Sequence, residues 1–350
     1  MRSPSRDAPE VAGEPSFKDQ RVLVTGGTGS IGSAIVEALL TQGPSVVRVL
    51  SRDDTKQFDL EQRHRGEPRL RLLIGDVRNR DRLQRAMSGI DLVFHAAAMK
   101  HVPACEFNPF EATETNVRGT QNVVEAAIDA GVQKVLTIST DKAVDPSNVM
   151  GATKLLAERL MTAAETYKGA AATRFAAVRF GNVIGSRGSI VPLVRGQVAR
   201  GGPVTITDPD MTRYLMPIGD AVRLCFGAVA RMTGGEVFIL KMPRVRTGDL
   251  VEVLIEAYAP AFGYRADQIA IEVIGARRGE KRDEALMTRD EALSATELED
   301  MYVVNAGTDD QRGGPVRGGQ ATEPLLTRAE LRELLDAAGW LSPEPLPAMG

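Results

Sequence analysis

The feature that most constrains the fold is a glycine-rich turn between an apolar segment and an amphipathic segment near the start of the chain. Residues 21–25 have the composition of a short buried strand, and residues 33–40 have the periodicity of a helix. Gly26 permits a tight turn between them, Gly29 lets a pyrophosphate approach the backbone, and Gly32 lets the helix pack close to the strand. The turn therefore predicts a dinucleotide site with the phosphates at the helix N-terminus.

The pattern of an apolar strand followed by a helix repeats along the chain. We predict further strands at residues 45–50, 70–77, 91–98, 135–138, 173–180, 204–206, 236–240 and 269–274. We predict helices at residues 110–130, 220–232 and 247–258. The expected fold is α/β, a Rossmann doubly wound parallel sheet with a smaller C-terminal substrate-binding lobe.

The end of the second predicted strand bears on the choice of cofactor. An acidic residue there would bind a ribose hydroxyl of NAD, whereas an arginine accommodates the 2′-phosphate of NADP. Ser51 and Arg52 stand at this position, with Lys56 one turn further on. These residues favour NADP, while Asp53 and Asp54 keep NAD open.

The same pattern divides the chain into regions. We expect a disordered tail at residues 1–17 and an NADP-binding Rossmann domain at residues 18–185, to which residues 214–240 return. The substrate-binding lobe is expected at residues 186–213 and 241–305. The remaining residues, 306–350, are expected to contain a linker, a helix that follows an N-cap at Thr327, and a Pro-rich tail.

Charge and composition exclude several classes of function. The 350-residue chain has a net charge of −3 at pH 7, which argues against nucleic acid or an anionic membrane as the main partner. No apolar run reaches about 18 residues, so we expect no membrane insertion. Two cysteines and three histidines are too few for a disulfide framework or a histidine-based metal site. We therefore predict no bound metal, a reducing compartment and a cytoplasmic location.

The stretch that carries the chemistry follows the predicted strand at residues 135–138. Thr140, Asp141 and Lys142 bring a hydroxyl, an acid and an amine to the carboxyl end of a strand, where ligands bind in open α/β sheets. The next helix holds Met150 and Lys154, which are four residues apart and are expected to point to the same place. The alternative is a solvated Asp–Lys pair of little consequence.

Other candidate residues follow the fourth and sixth predicted strands. Small residues at 96–98 let a cofactor backbone lie close, and we expect His95 beside them to be a core histidine. Lys100 either meets a substrate phosphate or is solvated. Asn116, inside the long helix, either contacts a ligand or makes structural hydrogen bonds. The loop at 181–189 combines Gly, Ser, Asn and Arg, which suits an anion.

Taken together, these segments resemble a known family. The order of the glycine turn, the alanines at 96–98, a strand-end Ser-Thr and a lysine in the next helix is similar to the extended short-chain dehydrogenase/reductases. Within them, four segments resemble the UDP-N-acetylglucosamine 4,6-dehydratases of polysaccharide and flagellin-sugar biosynthesis, namely residues 95–103, 139–143, 182–189 and 211–213. The resemblance spans about residues 18–304.

This resemblance implies a dehydration of a UDP-sugar that is driven by internal redox chemistry. Hydride passes from sugar C4 to a tightly bound and internally recycled NADP, water is lost across C5 and C6, and hydride returns to C6. By analogy, Lys142 is the C5 base and Asp141 is the acid for the leaving hydroxyl, if contact and burial displace their pKa values. Thr140 would hydrogen-bond O4, and Lys154 would hold the nicotinamide ribose. A homo-oligomer is implied as well.

The resemblance also implies contacts around this centre. Contacts with the cofactor are expected at Gly26, Thr28, Gly29, Ser30, Ile31, Ser51, Arg52, Lys56, Asp76, Val77, Ala96, Ala97, Ala98, Lys100, Asn116, Lys154, Phe180, Gly181, Asn182 and Val183. Contacts with the sugar nucleotide are expected at Lys100, Asp141, Lys142, Asn182, Ser189, Val191, Thr205, Arg213, Arg277 and Glu280.

Two positions depart from the family pattern. Met150 stands where most members carry a tyrosine, so the base for the C4 hydroxyl is open, and our hypothesis is Asp141 acting through Thr140. Arg278 stands where the family usually has a proline before Gly-Glu-Lys. The alternatives that remain are a UDP-sugar 4-epimerase and a non-catalytic NADP-sensing protein. Retention or inversion at C5 also stays open.

Overall fold

The computed structural model describes residues 16–305, 316, 318–319 and 323–341, so most of the predicted N-terminal tail, most of the predicted linker and the Pro-rich end lie outside the described residues. Strands and helices alternate through the described part. The strands are β1 (Arg21–Thr25), β2 (Val46–Ser51), β3 (Leu70–Ile74), β4 (Leu92–His95), β5 (Lys134–Ile138), β6 (Arg174–Arg179), β7 (Asn182–Val183), β8 (Val204–Ile206), β9 (Thr212–Met216), β10 (Glu236–Leu240), β11 (Arg244–Arg246), β12 (Ile271–Val273), β13 (Ala295–Glu297) and β14 (Met301–Asn305). The helices are α1 (Ser30–Thr41), α2 (Asp54–Arg63), α3 (Arg80–Met87), α4 (Val102–Phe107), α5 (Pro109–Ala112), α6 (Gly119–Ala130), α7 (Val149–Tyr167), α8 (Ile190–Val198), α9 (Ile218–Arg231), α10 (Thr247–Tyr258), α11 (Arg289–Ser294) and α12 (Arg328–Ala337).

The main sheet of the described residues has nine strands in the order β3-β2-β1-β4-β5-β6-β10-β14-β13. The strands from β3 to β10 run parallel, and β14 and β13 add to one edge in antiparallel orientation. The order of the first six strands is that of a doubly wound dinucleotide-binding sheet, which confirms the predicted fold. Because parallel strands end at one edge of the sheet, the residues that follow β1, β4, β5 and β6 meet there.

Helices cover both faces of this sheet through buried apolar side chains. On one face Leu39 of α1 and Phe226 of α9 pack in the largest apolar cluster, and on the other face Leu83 of α3 packs in a second cluster. Phe17 is also fully buried, with its ring centroid 4.6 Å from that of Phe226. The expected disordered tail is therefore wrong at Phe17, because this aromatic side chain fills a gap between the sheet and α9.

Several elements differ from the sequence-based prediction. The helix predicted at residues 110–130 contains a π-helical stretch, Thr113–Arg118, between α5 and α6. The third and fourth strands end at Ile74 and His95, before the predicted ends, since the residues beyond turn into the loops at the sheet edge. The prediction lacks strands β7, β9, β11, β13 and β14 and helices α2, α3, α4, α8 and α11.

A second apolar core lies in the part of the chain beyond β6. It joins side chains of α8, α10 and α12 with β8, which pairs in parallel with β12. Leu331 and Leu335 of α12 are fully buried there, next to Trp340. The capping box of Thr327 and Glu330 starts α12, as its sequence predicts. The C-terminal helix is therefore part of this core.

Among the described helices, none combines the length and the apolarity that crossing a membrane requires.

Candidate active site

The turn after β1 forms a cradle for a phosphate. Gly26 has a φ of +66°, and a Cβ there would lie 2.7 Å from the backbone of Ala97. Helix α1 begins at Ser30, and its N-cap Gly29 offers no side chain to the first N–H groups. These N–H groups and the positive end of the helix dipole suit a pyrophosphate. The cradle therefore fits the dinucleotide that the sequence predicts.

A loop from the far side of the site closes this cradle. The backbone N–H of Arg187 donates to Ser30 Oγ at 3.1 Å, and its guanidinium donates to the carbonyl oxygen of Thr28. Burial and the charge of Arg63 lower the pKa of Arg187, against the opposing effect of Asp53. Arg187 is a functional candidate that the sequence analysis did not single out, although its loop was predicted to suit an anion.

The residues at the end of β2 are engaged with one another. Ser51 is buried, whereas the Arg52 side chain is 56% exposed and lies 3.6 Å from Asp76. Asp53 caps α2 and pairs with Lys56 at 2.6 Å. The carboxylate of Asp53 is therefore already used, while the guanidinium of Arg52 keeps most of its surface open.

The segment after β4 brings Ala96, Ala97 and Ala98 next to the cradle. Asn116 holds this segment in place, because its side chain accepts from the N–H of Met99 at 2.7 Å and donates to the Met99 carbonyl oxygen at 3.0 Å. The Asn116 amide also donates to Thr153 Oγ1 at 3.0 Å. These bonds are the structural alternative to the expected cofactor contact. Val77, another expected contact, has a 5% exposed side chain within the core.

His95 and Lys100, which lie near the end of β4, have different environments. His95 is buried and hydrogen-bonded to Thr25 at 2.7 Å and to Thr120 at 3.1 Å. Burial, with a smaller effect of the Lys154 charge, lowers the pKa of His95 to about 3. The expectation of a core histidine is confirmed. The Lys100 residue as a whole is exposed, but neighbouring protein atoms partly desolvate its ammonium, and this and the charge of Arg187 lower its pKa.

The centre of the site is the single helical turn after β5, Asp141–Ala143. Asp141 is fully buried, and its Oδ1 lies 3.0 Å from Lys142 Nζ. Thr140 Oγ1 donates to the same Oδ1 at 2.9 Å, and Lys142 Nζ donates to Asn182 Oδ1 at 3.2 Å. Within the described residues, Asp141 Oδ2 has no hydrogen-bond partner. A buried carboxylate oxygen without a partner is available to a ligand.

The charge state of Lys142 differs from that of a ready base. Burial alone would lower its pKa, but the charges of Asp141 and Glu284 outweigh this and raise it. Arg213 opposes them in part. Lys142 is therefore an ammonium at neutral pH in the free protein, so a base role requires that it first give up a proton. The alternative of a solvated Asp141–Lys142 pair is wrong, since Asp141 is fully buried.

Helix α7 brings Lys154 to the same centre. Burial lowers the pKa of Lys154 to about 8, partly opposed by Glu158, and its ammonium donates to the carbonyl oxygen of Ile138 at 2.5 Å. The Met150 side chain, four residues earlier, packs with Cys105 in a small apolar cluster. That Met150 and Lys154 point to one place stays a prediction.

Close packing fixes α7 against the catalytic turn. A Cβ at Gly151 would lie 2.2 Å from the carbonyl oxygen of Lys142, so only glycine fits here. Asn148 caps the helix by accepting from the N–H of Gly151 at 2.8 Å. The loop after β6 adds the opposite wall, where the N–H of Asp141 donates to the carbonyl oxygen of Phe180 at 3.0 Å. Gly181 and Val183 continue this wall, and Val183 is buried.

The expected sugar-nucleotide contacts in the second half of the chain are only partly available. The Val191 side chain is buried in the second apolar core, so the expected contact at this position could involve only its backbone. Thr205 Oγ1 accepts from Gln197 at 2.8 Å. Ser189 precedes α8, and its buried Oγ has no hydrogen-bond partner within the described residues.

Arg213 and Glu280 are paired in this structure. Arg213 lies 3.3 Å from Glu280 Oε1, and only 12% of its side chain is exposed. The backbone N–H of Arg277 donates to Glu280 Oε2 at 3.2 Å, while the Arg277 side chain is exposed. A substrate anion that binds Arg213 would compete with Glu280 for the guanidinium.

Glu284 is a second candidate that the sequence analysis missed. It is buried, and its Oε1 lies 3.6 Å from Lys142 Nζ. Its segment, residues 277–284, is so rich in charge that a solvated loop is the natural interpretation. The described residues contain no group of three or more His, Cys, Asp or Glu side chains placed to hold a metal ion.

A model of the family described as "polysaccharide biosynthesis protein" matches residues 22–306 of this chain. The chain belongs to this family. A UDP-N-acetylglucosamine 4,6-dehydratase (inverting) of Campylobacter jejuni is 40% identical over 83% of this chain and 84% of its own length. The family thus lies within the extended short-chain dehydrogenase/reductases, as the sequence segments indicate.

Other relatives carry different names. An uncharacterized membrane protein of Methanocaldococcus jannaschii is 52% identical over 93% of this chain and 98% of its own length. A UDP-glucose 4-epimerase of Rickettsia rickettsii is 42% identical over 82% of this chain and 83% of its own length. Identity at this level therefore does not separate dehydration from epimerisation.

Solved structures agree with the fold. Pen from Bacillus thuringiensis is 46% identical, with a TM-score of 0.87 over 92% of this chain and 99% of that one. DesIV, a dTDP-glucose 4,6-dehydratase from Streptomyces venezuelae solved as a double mutant with NAD bound, is 25% identical, with a TM-score of 0.65 over 75% of this chain and 87% of that one.

Proposed function

We propose that this protein is a nucleotide-sugar 4,6-dehydratase that converts UDP-N-acetylglucosamine, or a close UDP-sugar, to a 4-keto-6-deoxy sugar. The observation that carries the proposal is the buried contact between Asp141 and Lys142 at 3.0 Å, at the carboxyl end of a central strand. Elimination of water across C5 and C6 needs an acid and a base side by side. A site that only moves hydride at C4 has no need of this pair.

The cofactor we propose is NADP, held by the cradle after β1 and by the end of β2. The uncapped start of α1 suits its pyrophosphate, and the exposed guanidinium of Arg52 suits its 2′-phosphate. Lys154, with a pKa of about 8, would hold the nicotinamide ribose. When bound, the nicotinamide accepts hydride from sugar C4 and returns it to C6. The NAD in the related DesIV structure supports a nicotinamide cofactor without choosing between the two.

Asp141 carries one proton between two steps of this scheme. The hydrogen bond from Thr140 Oγ1 to Asp141 Oδ1 at 2.9 Å offers a path for the C4 hydroxyl proton, since Met150 cannot titrate. Asp141 then holds a proton and gives it to the departing C6 hydroxyl. Lys142 takes the proton from C5 and later returns it there. The aspartate thus ends the cycle as the carboxylate that began it.

The alternative is a UDP-sugar 4-epimerase, which the Rickettsia relative favours. Epimerisation shares the oxidation at C4 but leaves C5 and C6 untouched. We expect the double variant Asp141→Asn, Lys142→Met to slow dehydration by at least about 10²–10⁴-fold, since each general acid–base group contributes this much. Unimpaired turnover by this double variant would instead support a UDP-sugar 4-epimerase.

The deciding experiment is mass spectrometry of the protein with UDP-N-acetylglucosamine in heavy water, without added reductant. We expect a product that is lighter by one water and carries one carbon-bound deuteron at C5. Its NMR spectrum then assigns retention or inversion. A product of unchanged composition and inverted C4 refutes dehydration, and water loss without a deuteron refutes exchange of the C5 proton with solvent at Lys142.

We also propose a cytoplasmic homo-oligomer. The two cysteines are buried and free, in agreement with a reducing compartment. Size-exclusion chromatography with light scattering tests the assembly, and a monomer at working concentration would contradict it.

A further inference from the structure

A buried carboxylate outside the proposed acid–base pair faces the centre of the site. Only 3% of the Glu284 side chain is exposed. Its Oε1 lies 3.6 Å from Lys142 Nζ, and its Oε2 lies 3.5 Å from Lys281 Nζ. Within the described residues, Oε2 has no hydrogen-bond partner. Oε1 is therefore the oxygen that faces Lys142, while Oε2 faces Lys281.

The backbone that carries Glu284 is tied to the loop that carries Lys142. Ser147 and Asn148 both donate from their side chains to the carbonyl oxygen of Gly279 at 2.9 Å. The ammonium of Lys281 donates to the carbonyl oxygen of Val144. These bonds hold residues 279–284 against the loop, so the distance from Glu284 to Lys142 is set by the fold.

The steps of the proposed reaction do not yet include an acceptor for the proton that Lys142 must lose. Lys142 is an ammonium in the free protein, and a base at C5 must be an amine. Asp141 cannot take the Lys142 proton, because it receives the C4 hydroxyl proton through Thr140. A third group must therefore accept a proton before C5 is attacked, and Glu284 is the second carboxylate that lies near Lys142 Nζ.

We propose that Glu284 acts through Lys142 as the proton acceptor that turns its ammonium into the C5 base. This inference rests on the proposed dehydration. An N–H bond of Lys142 breaks and an O–H bond forms on Glu284, with the electron pair left on nitrogen. The amine then takes the C5 proton, and the pair of electrons from C5–H expels the C6 hydroxyl, which Asp141 protonates. After Lys142 has returned its proton to C5, Glu284 returns the stored proton to Lys142.

Four charged groups set this equilibrium. Asp141 and Glu284 face Lys142 and favour its ammonium, whereas Arg213 faces it and favours the amine. Lys281 Nζ lies 3.5 Å from Glu284 Oε2. Removal of the Glu284 charge therefore lowers the pKa of Lys142, while it deprives the ammonium of its acceptor. At neutral pH the missing acceptor slows the reaction. Above the lowered pKa, Lys142 is already an amine and needs no acceptor, so a pH series separates the two consequences.

The test compares Glu284→Gln with Glu284→Asp and with Asp283→Asn. Asp283 is the matched control, since it lies one residue away and pairs with Arg244 rather than Lys142. At neutral pH, Glu284→Gln should slow C5 deuterium exchange by about 10²–10³-fold while C4 oxidation continues, seen as accumulation of reduced nicotinamide. As pH rises above the lowered pKa of Lys142, exchange should recover. Glu284→Asp should keep part of the rate, and Asp283→Asn should keep the wild-type pH profile.

A second measurement needs no turnover. Trace acetylation of the free protein across a pH series, read by mass spectrometry of the Lys142 peptide, gives the pKa of Lys142. We expect it to fall by about one unit in Glu284→Gln and to stay in place in Asp283→Asn. An unchanged pKa, or a loss of exchange that high pH does not rescue, overturns the inference. A shifted pKa in a protein that never dehydrates a sugar refutes the proposed reaction instead, because the contact itself is then intact.

Discussion

Replacement of Arg179 by methionine tests the buried charge network behind the site. Arg179 ends β6 and is 1% exposed, and its guanidinium pairs with Glu158 and with Glu291 at 2.8 Å. It also donates to the carbonyl oxygen of Leu286 at 2.9 Å. The variant leaves two buried carboxylates without this cation, and removal of one partner from a buried ion pair costs about 3–5 kcal/mol. We therefore expect the free energy of unfolding in urea to fall by about 3–5 kcal/mol at neutral pH.

The pH dependence separates this mechanism from simple loss of packing. Burial alone would raise the pKa of Glu291, but Arg179 holds it below its ordinary value. Without Arg179 the folded state binds a proton that the unfolded state has released. The loss of stability should then shrink as the pH falls from about 7 to about 5. An equal loss at both pH values would refute the reasoning.

The matched control is Arg223→Met. Arg223 is 74% exposed and pairs with Asp220, and exposed pairs contribute about 0–1 kcal/mol. If Arg179→Met costs no more than this control, the network does not stabilise the fold. Glu158 links the network to function, because it follows Lys154 by one turn of α7 and its charge raises the pKa of Lys154. Loss of Arg179 should therefore raise that pKa as well.

Three further predictions concern separate features. Phe17→Ala should lower the free energy of unfolding by about 3–5 kcal/mol in urea, whereas Phe107→Ala, at an 88% exposed position, should change it little. Arg52→Ser should weaken NADP binding about tenfold in calorimetry and leave NAD unchanged, and an equal loss for both cofactors would contradict it. Lys154→Met should stabilise the fold by roughly 3 kcal/mol below about pH 8, because the folded-state pKa of about 8 lies below the ordinary value of 10.5. That gain should vanish as the pH approaches 10.5, and turnover should be lost throughout.

The sequence predicts the nucleotide-binding half well because its signals are local. A strand, a glycine turn and a helix within residues 21–41 define the cradle, and each central strand is a short apolar run of its own. The edge strands β13 and β14 escape prediction because their pairing partners decide them. Residues 295–297 are too few to show a period, and β10, which pairs with β14, lies about sixty residues earlier in the chain.

The candidate site is predicted where strand ends define it and missed where tertiary packing does. The spacing of Met150 and Lys154 is that of one helix face, but it does not predict their partners, which are Cys105 in an apolar cluster for Met150 and the carbonyl oxygen of Ile138 for Lys154. Glu284 follows a run of charged residues at 277–283, and nothing in that composition distinguishes the acid that folding buries. Its burial depends on the hydrogen bonds from Ser147 and Asn148 to Gly279, 131 or more residues apart in sequence.

One short segment therefore connects recognition with chemistry. Glu280 pairs with Arg213 at 3.3 Å, and Glu284, four residues later, lies 3.6 Å from Lys142. A diphosphate that binds Arg213 must displace Glu280 from it, because one guanidinium cannot satisfy both anions at full strength. Arg213 also lowers the pKa of Lys142, so neutralising its charge favours the ammonium further. In the proposed reaction, substrate binding would thus increase the need for a proton acceptor beside Lys142, and Glu284, the proposed acceptor, lies on the segment that binding would disturb.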